Sequence, residues 1–270
     1  MQRPDWAPDT IDIERPSVAR MYDYYLGGSH NFAADRATAR AMVDAVPEAP
    51  LMAQANRAFL RRAVHFLAEA GIRQFLDIGS GIPTVGNVHE IAQRIDPASR
   101  VVYVDIDPVA VAHSREILSG NDRAAVIQED LRRPEQILTH PDLTGLLDLS
   151  QPVAVMIVAV LHFVPDSDRP AEILRTLRAA LAPGSYLVLS QASDDDRQDH
   201  GERAEAEAVY HRTDNPLIIR SRAQLTSLFD GFDLVDPGLV WVPQWRPETP
   251  ENAEGAEKSA FLGGVGRLGG

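Results

Sequence analysis

Phe75-Leu76-Asp77-Ile78-Gly79-Ser80-Gly81 decides how this chain folds. Two apolar residues belong to a short strand, an acid stands at its tip, and a glycine pair turns the chain toward a helix. The first glycine permits a tight turn, and the second lets backbone approach a ligand with no Cβ in the way. The Asp77 carboxylate lies close to that ligand, so the turn suits a cationic one. It opposes the pyrophosphate that turns of this kind often hold.

Downstream of Gln74 the pattern alternates between strands and helices. Apolar runs of buried-strand length lie at 75–78, 100–104, 124–128, 153–159 and 186–190, with helical segments near 84–95, 109–118, 134–138 and 168–181. Alternation of this kind predicts an α/β fold with a doubly wound, mostly parallel sheet, whose ligand sits at the carboxyl ends of the strands. Segments 232–235 and 239–242 read as one interrupted strand, and a last strand begins at Ala260, which makes seven. Ser193 to Asp196 reads as a solvated turn before a polar helix over 201–211. Ser221 and Gln224 have the spacing of a capping box, starting a helix that ends at Gly231.

Upstream of the first strand the sequence is helical. After a polar stretch to Thr10, Ser17 caps a helix reaching Tyr25 and stopped by Gly27-Gly28. A second helix spans 35–44. A long third one follows Pro50, with Phe59, Ala63, Phe66 and Ala70 on one face and Gly71 as its C-cap. Residues 1–58 read as a helical cap on a ligand-binding domain over 59–270.

Composition narrows the function. The 270 residues are 44% apolar and carry a net charge of −13. No basic block with interleaved aromatics is present, which disfavours nucleic acid as a partner, because phosphate neutralisation needs a basic stripe. With no cysteine, disulfides, thiolate nucleophiles and Cys-based metal sites are excluded, and no metal ligand set is read. Met1-Gln-Arg-Pro-Asp-Trp6 has no apolar signal core, and no stretch reaches the roughly 18 apolar residues of a membrane span. A soluble, cytoplasmic protein without a membrane partner is expected.

Two further strands end in acids. The second closes with Asp105-Ile106-Asp107-Pro108. An acid about two dozen positions beyond the glycine turn is where such folds grip ribose, because its two oxygens match two vicinal hydroxyls. Asp105 takes that role, and Asp107 either joins it or caps the following helix ahead of Pro108. The third strand closes with Glu129-Asp130-Leu131. Asp130 suits an adenine amine, with the Leu131 backbone N–H on a ring nitrogen; the alternative is a turn-initiating Asp before Arg132.

Acids at three successive strand tips, with Ala182-Pro183-Gly184 ahead of the fifth strand, resemble the motif series of class I methyltransferases that use S-adenosylmethionine (SAM). The resemblance implies a Rossmann-like fold and SAM as cofactor. It runs from about Gln74 to Gln191, and Pro83 stands where that pattern often has a third glycine. A narrower resemblance covers nearly the whole chain. Pro16-Ser17, Arg20, Tyr22-Asp23-Tyr24, Gly27-Gly28, Asn31-Phe32, Asn56-Arg57, Pro83-Thr84 and Asn87-Val88-His89 are similar to the signature of a bacterial S-adenosyl methyltransferase family first catalogued as a domain of unknown function. That family implies the cofactor and names no acceptor.

Methyl transfer from SAM is an in-line displacement, and the enzyme aligns the groups and excludes water. A hydroxyl acceptor usually needs a base, and His162, just after the fourth strand, is the candidate; the alternative is a packed imidazole. Ala159 is small enough to meet the cofactor through its backbone. In the cap, Arg20 suits the SAM carboxylate, while Tyr22, Tyr25 and Asn31 line an acceptor pocket; packing of the cap on the sheet is the competing reading. Asn56 and Arg57 reach the same cavity or face solvent. Val160-Leu161-His162-Phe163 stands where base and glutamine-amide methyltransferases carry an Asn-Pro-Pro-Tyr type motif, which disfavours those acceptors, and the acidic surface and tyrosine-rich cap point to a small molecule over polynucleotides. A SAM-binding sensor without catalysis is the alternative from another class. A nicotinamide dehydrogenase is opposed by Asp77.

Overall fold

The computed structural model describes residues 11–83, 86–193, 195, 200–211, 213 and 215–269, with 200–203 in backbone only. The stretch up to Thr10, Thr84, and most of the turn at 194–199 lie outside the described residues.

Three helices, α1 (Val18–Tyr25), α2 (Ala33–Ala45) and α3 (Ala49–Glu69), precede β1 (Gln74–Ile78). There follow α4 (Val88–Ile95), β2 (Arg100–Asp105), α5 (Pro108–Ile117) and β3 (Ala124–Gln128), then α6 (Pro134–Thr139), α7 (Pro141–Leu146) and β4 (Ala154–Val158). The chain continues through α8 (Pro170–Ala179), β5 (Tyr186–Ala192), α9 (His200–Tyr210) and α10 (Arg222–Ser227) to β6 (Phe232–Leu234), β7 (Val240–Trp241) and β8 (Phe261–Leu268).

The sheet order is β3-β2-β1-β4-β5-β8-β6, with β7 also paired to β8. β1 to β5 run parallel and β8 lies antiparallel to β5. β6 and β7 pair successive stretches of β8, at Gly266–Leu268 and at Leu262–Gly263. They are thus one interrupted strand, and the seven-stranded reading holds with its sixth member broken in two. Strand order reverses between β1 and β4, which is where ligands bind in open α/β sheets.

Alternation along the strands builds two cores. Leu76, Ile78, Val102, Val104, Val155 and Ile157 face helices α6, α7, α8 and α10. Phe75, Val101, Tyr103, Ala154 and Met156 face α3 and α4. On α3 the buried stripe runs through Phe59, Leu60, Ala63, Val64 and Leu67. It is rotated from the expected one: Ala70 is exposed, and Phe66 is half-buried with its ring 5.7 Å from that of Trp245. A third cluster, centred on Met21, Met42, Met52 and Tyr210, joins α1, α2 and the start of α3 to α9, which lies outside the bounds 1–58 expected for the cap.

Helix starts are set by side chains. Asp107 caps α5, its Oδ1 accepting from Val109 N at 2.7 Å, and Pro108 fills the first turn. Gln224 Oε1 accepts from Ser221 N at 2.9 Å, completing the capping box of α10. Ser17 stands at the N-cap of α1 but makes no capping bond. Its hydroxyl donates instead to Asp107, across the chain. No helix among the described residues is long and apolar enough to cross a membrane.

Candidate active site

A cavity of about 670 Å3 lies between the carboxyl ends of β1–β4 and the cap, within the size range of small-molecule sites. One wall is the glycine turn. Gly79 has φ +73°, and a Cβ there would come within 2.3 Å of Val160 Cγ2, so only glycine lets β4 approach this closely. Gly81, at φ +67°, donates its backbone N–H to Asp105 Oδ2 at 2.7 Å. Asp105 Oδ1 accepts from Asp107 N at 2.8 Å. Each carboxyl oxygen keeps a lone pair for a further donor.

Burial dominates the charge states here. It pushes the Asp77 carboxyl up to about 7, with the Arg57 charge pulling down and Asp105 adding to the rise. Burial likewise pushes Asp105 up to about 6, against the pull of the Asp107 and Gly81 amides. Two buried carboxyls that resist ionisation call for a cationic ligand. Arg57, from α3, supplies one nearby positive charge. Its Nη2 donates to Asn87 Oδ1 at 3.1 Å, while Nε is buried without a hydrogen-bond partner among the described residues.

Asp130, Leu131 and Arg132 complete the far end of this wall. Burial works against the Asp130 carboxylate, but Arg132 outweighs it and holds the group below its usual range. Arg132 Nη2 donates to Oδ2 at 2.6 Å.

At the tip of β4, Ala159 adopts φ +59°, rare for a residue with a Cβ. Its N–H donates to Ser190 Oγ at 3.0 Å. Ser190 Oγ donates to Asn56 Oδ1 at 2.5 Å, Asn56 Nδ2 donates to Tyr22 OH at 3.1 Å, and Tyr22 donates to Ala53 O at 3.0 Å. This chain ties the strand tip to the cap, and Ser190, a strand serine, gave no sign of the role in the sequence.

The cap residues divide. Tyr22, Tyr25 and Arg20 line the cavity. Arg20 is committed: Nε donates to Asp35 Oδ1 at 3.1 Å, Nη2 donates to Arg15 O at 2.7 Å, and Asp107 Oδ2 lies 3.9 Å from Nε. Asn31 does not line the cavity. Its Nδ2 donates to Asp23 Oδ2 at 2.8 Å and Gly28 O at 3.0 Å, holding the turn between α1 and α2.

His162 lines the cavity beyond Ala159, with Nδ1 buried and unpartnered among the described residues. Burial and then the Arg220 charge press its pKa down to about 3, which keeps the ring neutral.

A glycine turn and paired buried carboxyls at the switch point of a parallel sheet, opposite an arginine, suit a nucleoside that carries a sulfonium, an ammonium and a carboxylate. These are the features of a class I SAM-dependent methyltransferase. The chain belongs to the S-adenosyl methyltransferase family, whose model matches residues 4–269. Two solved structures are similar over almost the whole chain. A candidate methyltransferase from Thermobifida fusca YX is 39% identical, with 99% of this chain and 100% of that one covered and a TM-score of 0.92. A DUF574 family protein from Streptomyces avermitilis MA-4680 is 40% identical, with 95% and 99% covered and a TM-score of 0.90. Among curated proteins, the carboxy-S-adenosyl-L-methionine synthase of Ectopseudomonas mendocina (strain ymp) is 34% identical over 115 residues. That match spans 43% of each chain, less than half of the relative.

Proposed function

We propose that the cavity holds SAM along the tips of β1–β3 and a small-molecule acceptor under the cap, with residues 1–58 as a lid on the domain formed by 59–270. One observation carries this reading: Asp77 and Asp105 are both buried at the switch point of the sheet, and the Asp105 charge adds to the rise of the Asp77 carboxyl. When bound, SAM supplies a methyl group on a cationic sulfonium.

Asp105 accepts the two ribose hydroxyls, with its orientation fixed by the Gly81 and Asp107 amides. Asp107 borders the ribose and caps α5 at once. Asp130 and the Leu131 backbone read the adenine edge, while Gly79 and Gly81 leave room for the nucleoside. Asp77 and the Ala159 backbone face the amino group. The carboxylate goes to Arg57, whose Nε is unpartnered, ahead of Arg20, whose guanidinium is already held by Asp35. His162, neutral and at the inner end of the acceptor side, accepts a hydrogen bond or a proton from the acceptor. Tyr22 and Tyr25 shape that side, and Asn31 acts behind them by holding the turn.

Calorimetric titration with SAM, S-adenosylhomocysteine and NAD tests the reading. Binding of the first two and none of NAD is expected. Binding of NAD with no response to either adenosyl compound would overturn it.

A further inference from the structure

The cavity is electrically lopsided. Its strand-tip half carries Asp77, Asp105, Asp107, Asp130 and Arg57. The other half, the cap half, is walled by Met42, Met52, Phe163, Tyr210, Leu217 and Phe261. The charged N-terminal residues that line the cavity, Asp12, Arg15 and Arg20, go with the strand-tip half, where Arg20 lies 3.9 Å from Asp107 and donates to Arg15 O.

We propose that this cap half receives an uncharged, ring-bearing apolar molecule as the methyl acceptor. The proposal rests on the SAM reading above, which places the cofactor in the charged half.

Three features converge on it. First, an ionic acceptor buried here would lose its hydration, a cost of several kcal/mol per ion, and the nearest described charge, Arg220 behind His162, is already held by Asp166 and the Leu161 and Val164 carbonyls. Second, the rings of His162, Phe163, Tyr210 and Phe261 form a continuous wall. Centroid separations are 4.2 Å for His162–Phe163, 5.5 Å for His162–Phe261 and 5.4 Å for Phe163–Tyr210, all tilted or edge-on. A planar ring entering beside them finds the offset and edge contacts that aromatic groups prefer. Third, four titratable groups of this half, Tyr22, Tyr25, Tyr210 and His162, are held in their neutral forms. Burial raises Tyr22 and Tyr25, raises Tyr210 to about 12, and lowers His162 to about 3. These four groups therefore offer no charge to an ionic partner across the ordinary pH range. A few polar tips remain to orient a neutral group, among them Asn215 and His162.

Naphthol, naphthoate and naphthylmethylammonium share one ring system and differ in charge, so they separate the possibilities. Each is titrated by calorimetry into protein saturated with S-adenosylhomocysteine. Naphthol is expected to bind at least about tenfold more tightly than either ion, a difference of about 1.4 kcal/mol. Met52→Lys, which places a cation in the wall, is expected to move the preference toward naphthoate. Ala206→Leu, which only fills space at the same wall, is expected to weaken naphthol while S-adenosylhomocysteine still binds. Equal or tighter binding of an ion by the unaltered protein overturns the proposal. So does failure of all three probes in protein that binds S-adenosylhomocysteine, or naphthol binding indifferent to Ala206→Leu. Failure of S-adenosylhomocysteine itself to bind overturns the cofactor reading, and that is a separate result.

Discussion

The Gly81 amide donates to Asp105 Oδ2 at 2.7 Å, which joins the glycine turn after β1 to the acid at the end of β2. Neither element is an independent part of the site. The turn aims the carboxylate, and the carboxylate holds the turn. Asp105→Asn keeps an oxygen for the Gly81 amide but turns an NH2 toward the Asp107 amide, and it loses the charge that strengthens bonds to ribose. Hydrogen bonds to charged groups contribute about 1.5–3 kcal/mol each, so S-adenosylhomocysteine affinity should fall by about tenfold or more, and the free protein should lose about 1–3 kcal/mol of stability for the one buried amide left unpaired. Calorimetry and a thermal melt read the two effects separately.

The same carboxyls make stability and binding depend on pH in opposite directions. Their folded-state pKa values, about 7 for Asp77 and about 6 for Asp105, lie above the unfolded value of 3.8. The ligand-free protein therefore holds more protons than the unfolded chain between these limits. The contribution of the two groups is fully present below the unfolded pKa and is lost as pH rises through the folded values. A cationic ligand favours the ionised forms, so its affinity should rise over the same window with release of protons. Urea titrations across the window, with Asp77→Asn as the control that flattens the trend, check the first effect. Calorimetry in two buffers of different ionisation enthalpy checks the second.

Arg57 is separable from Arg20 by ligand. S-adenosylhomocysteine carries the amino-acid carboxylate and methylthioadenosine does not. Arg57→Ala should weaken the first by about tenfold or more and leave the second within about twofold. Equal losses for both ligands would assign Arg57 a structural role.

Arg20 and Asp35 form a buried pair, and truncating one partner strands the other's charge. Arg20→Ala should cost about 3–5 kcal/mol of stability, read by denaturant unfolding, and more than Asp35→Asn, which leaves a neutral amide behind. A cost below about 1 kcal/mol would show that the pair is relaxed or hydrated.

Much of this was legible in residue order because it depends on local pattern. The five parallel strands are β-branched runs between helical segments, and acids at their tips follow from where such runs stop. Even the broken sixth strand showed as two apolar pieces around Asp236-Pro237-Gly238. What stayed hidden depends on partners far away in sequence. Ser17 has the residue type and position of a helix cap, yet its hydroxyl goes to Asp107, ninety positions on. Asn31 sits in a signature-like stretch but turns inward to Asp23. Ser190 is one polar residue in an apolar strand, and only its bond to Asn56 reveals that it connects sheet and cap. Helix α7, opening at Pro141 directly behind α6, was missed because the stretch between β3 and β4 carries too short an apolar period to mark two helices.

The most direct test of the central claim is a crystal structure with S-adenosylhomocysteine bound. The account predicts both ribose hydroxyls within hydrogen-bonding distance of the Asp105 carboxyl, adenine beside Asp130, and the amino group against Asp77. A nucleoside lying elsewhere, or one whose ribose makes no contact with Asp105, would contradict it.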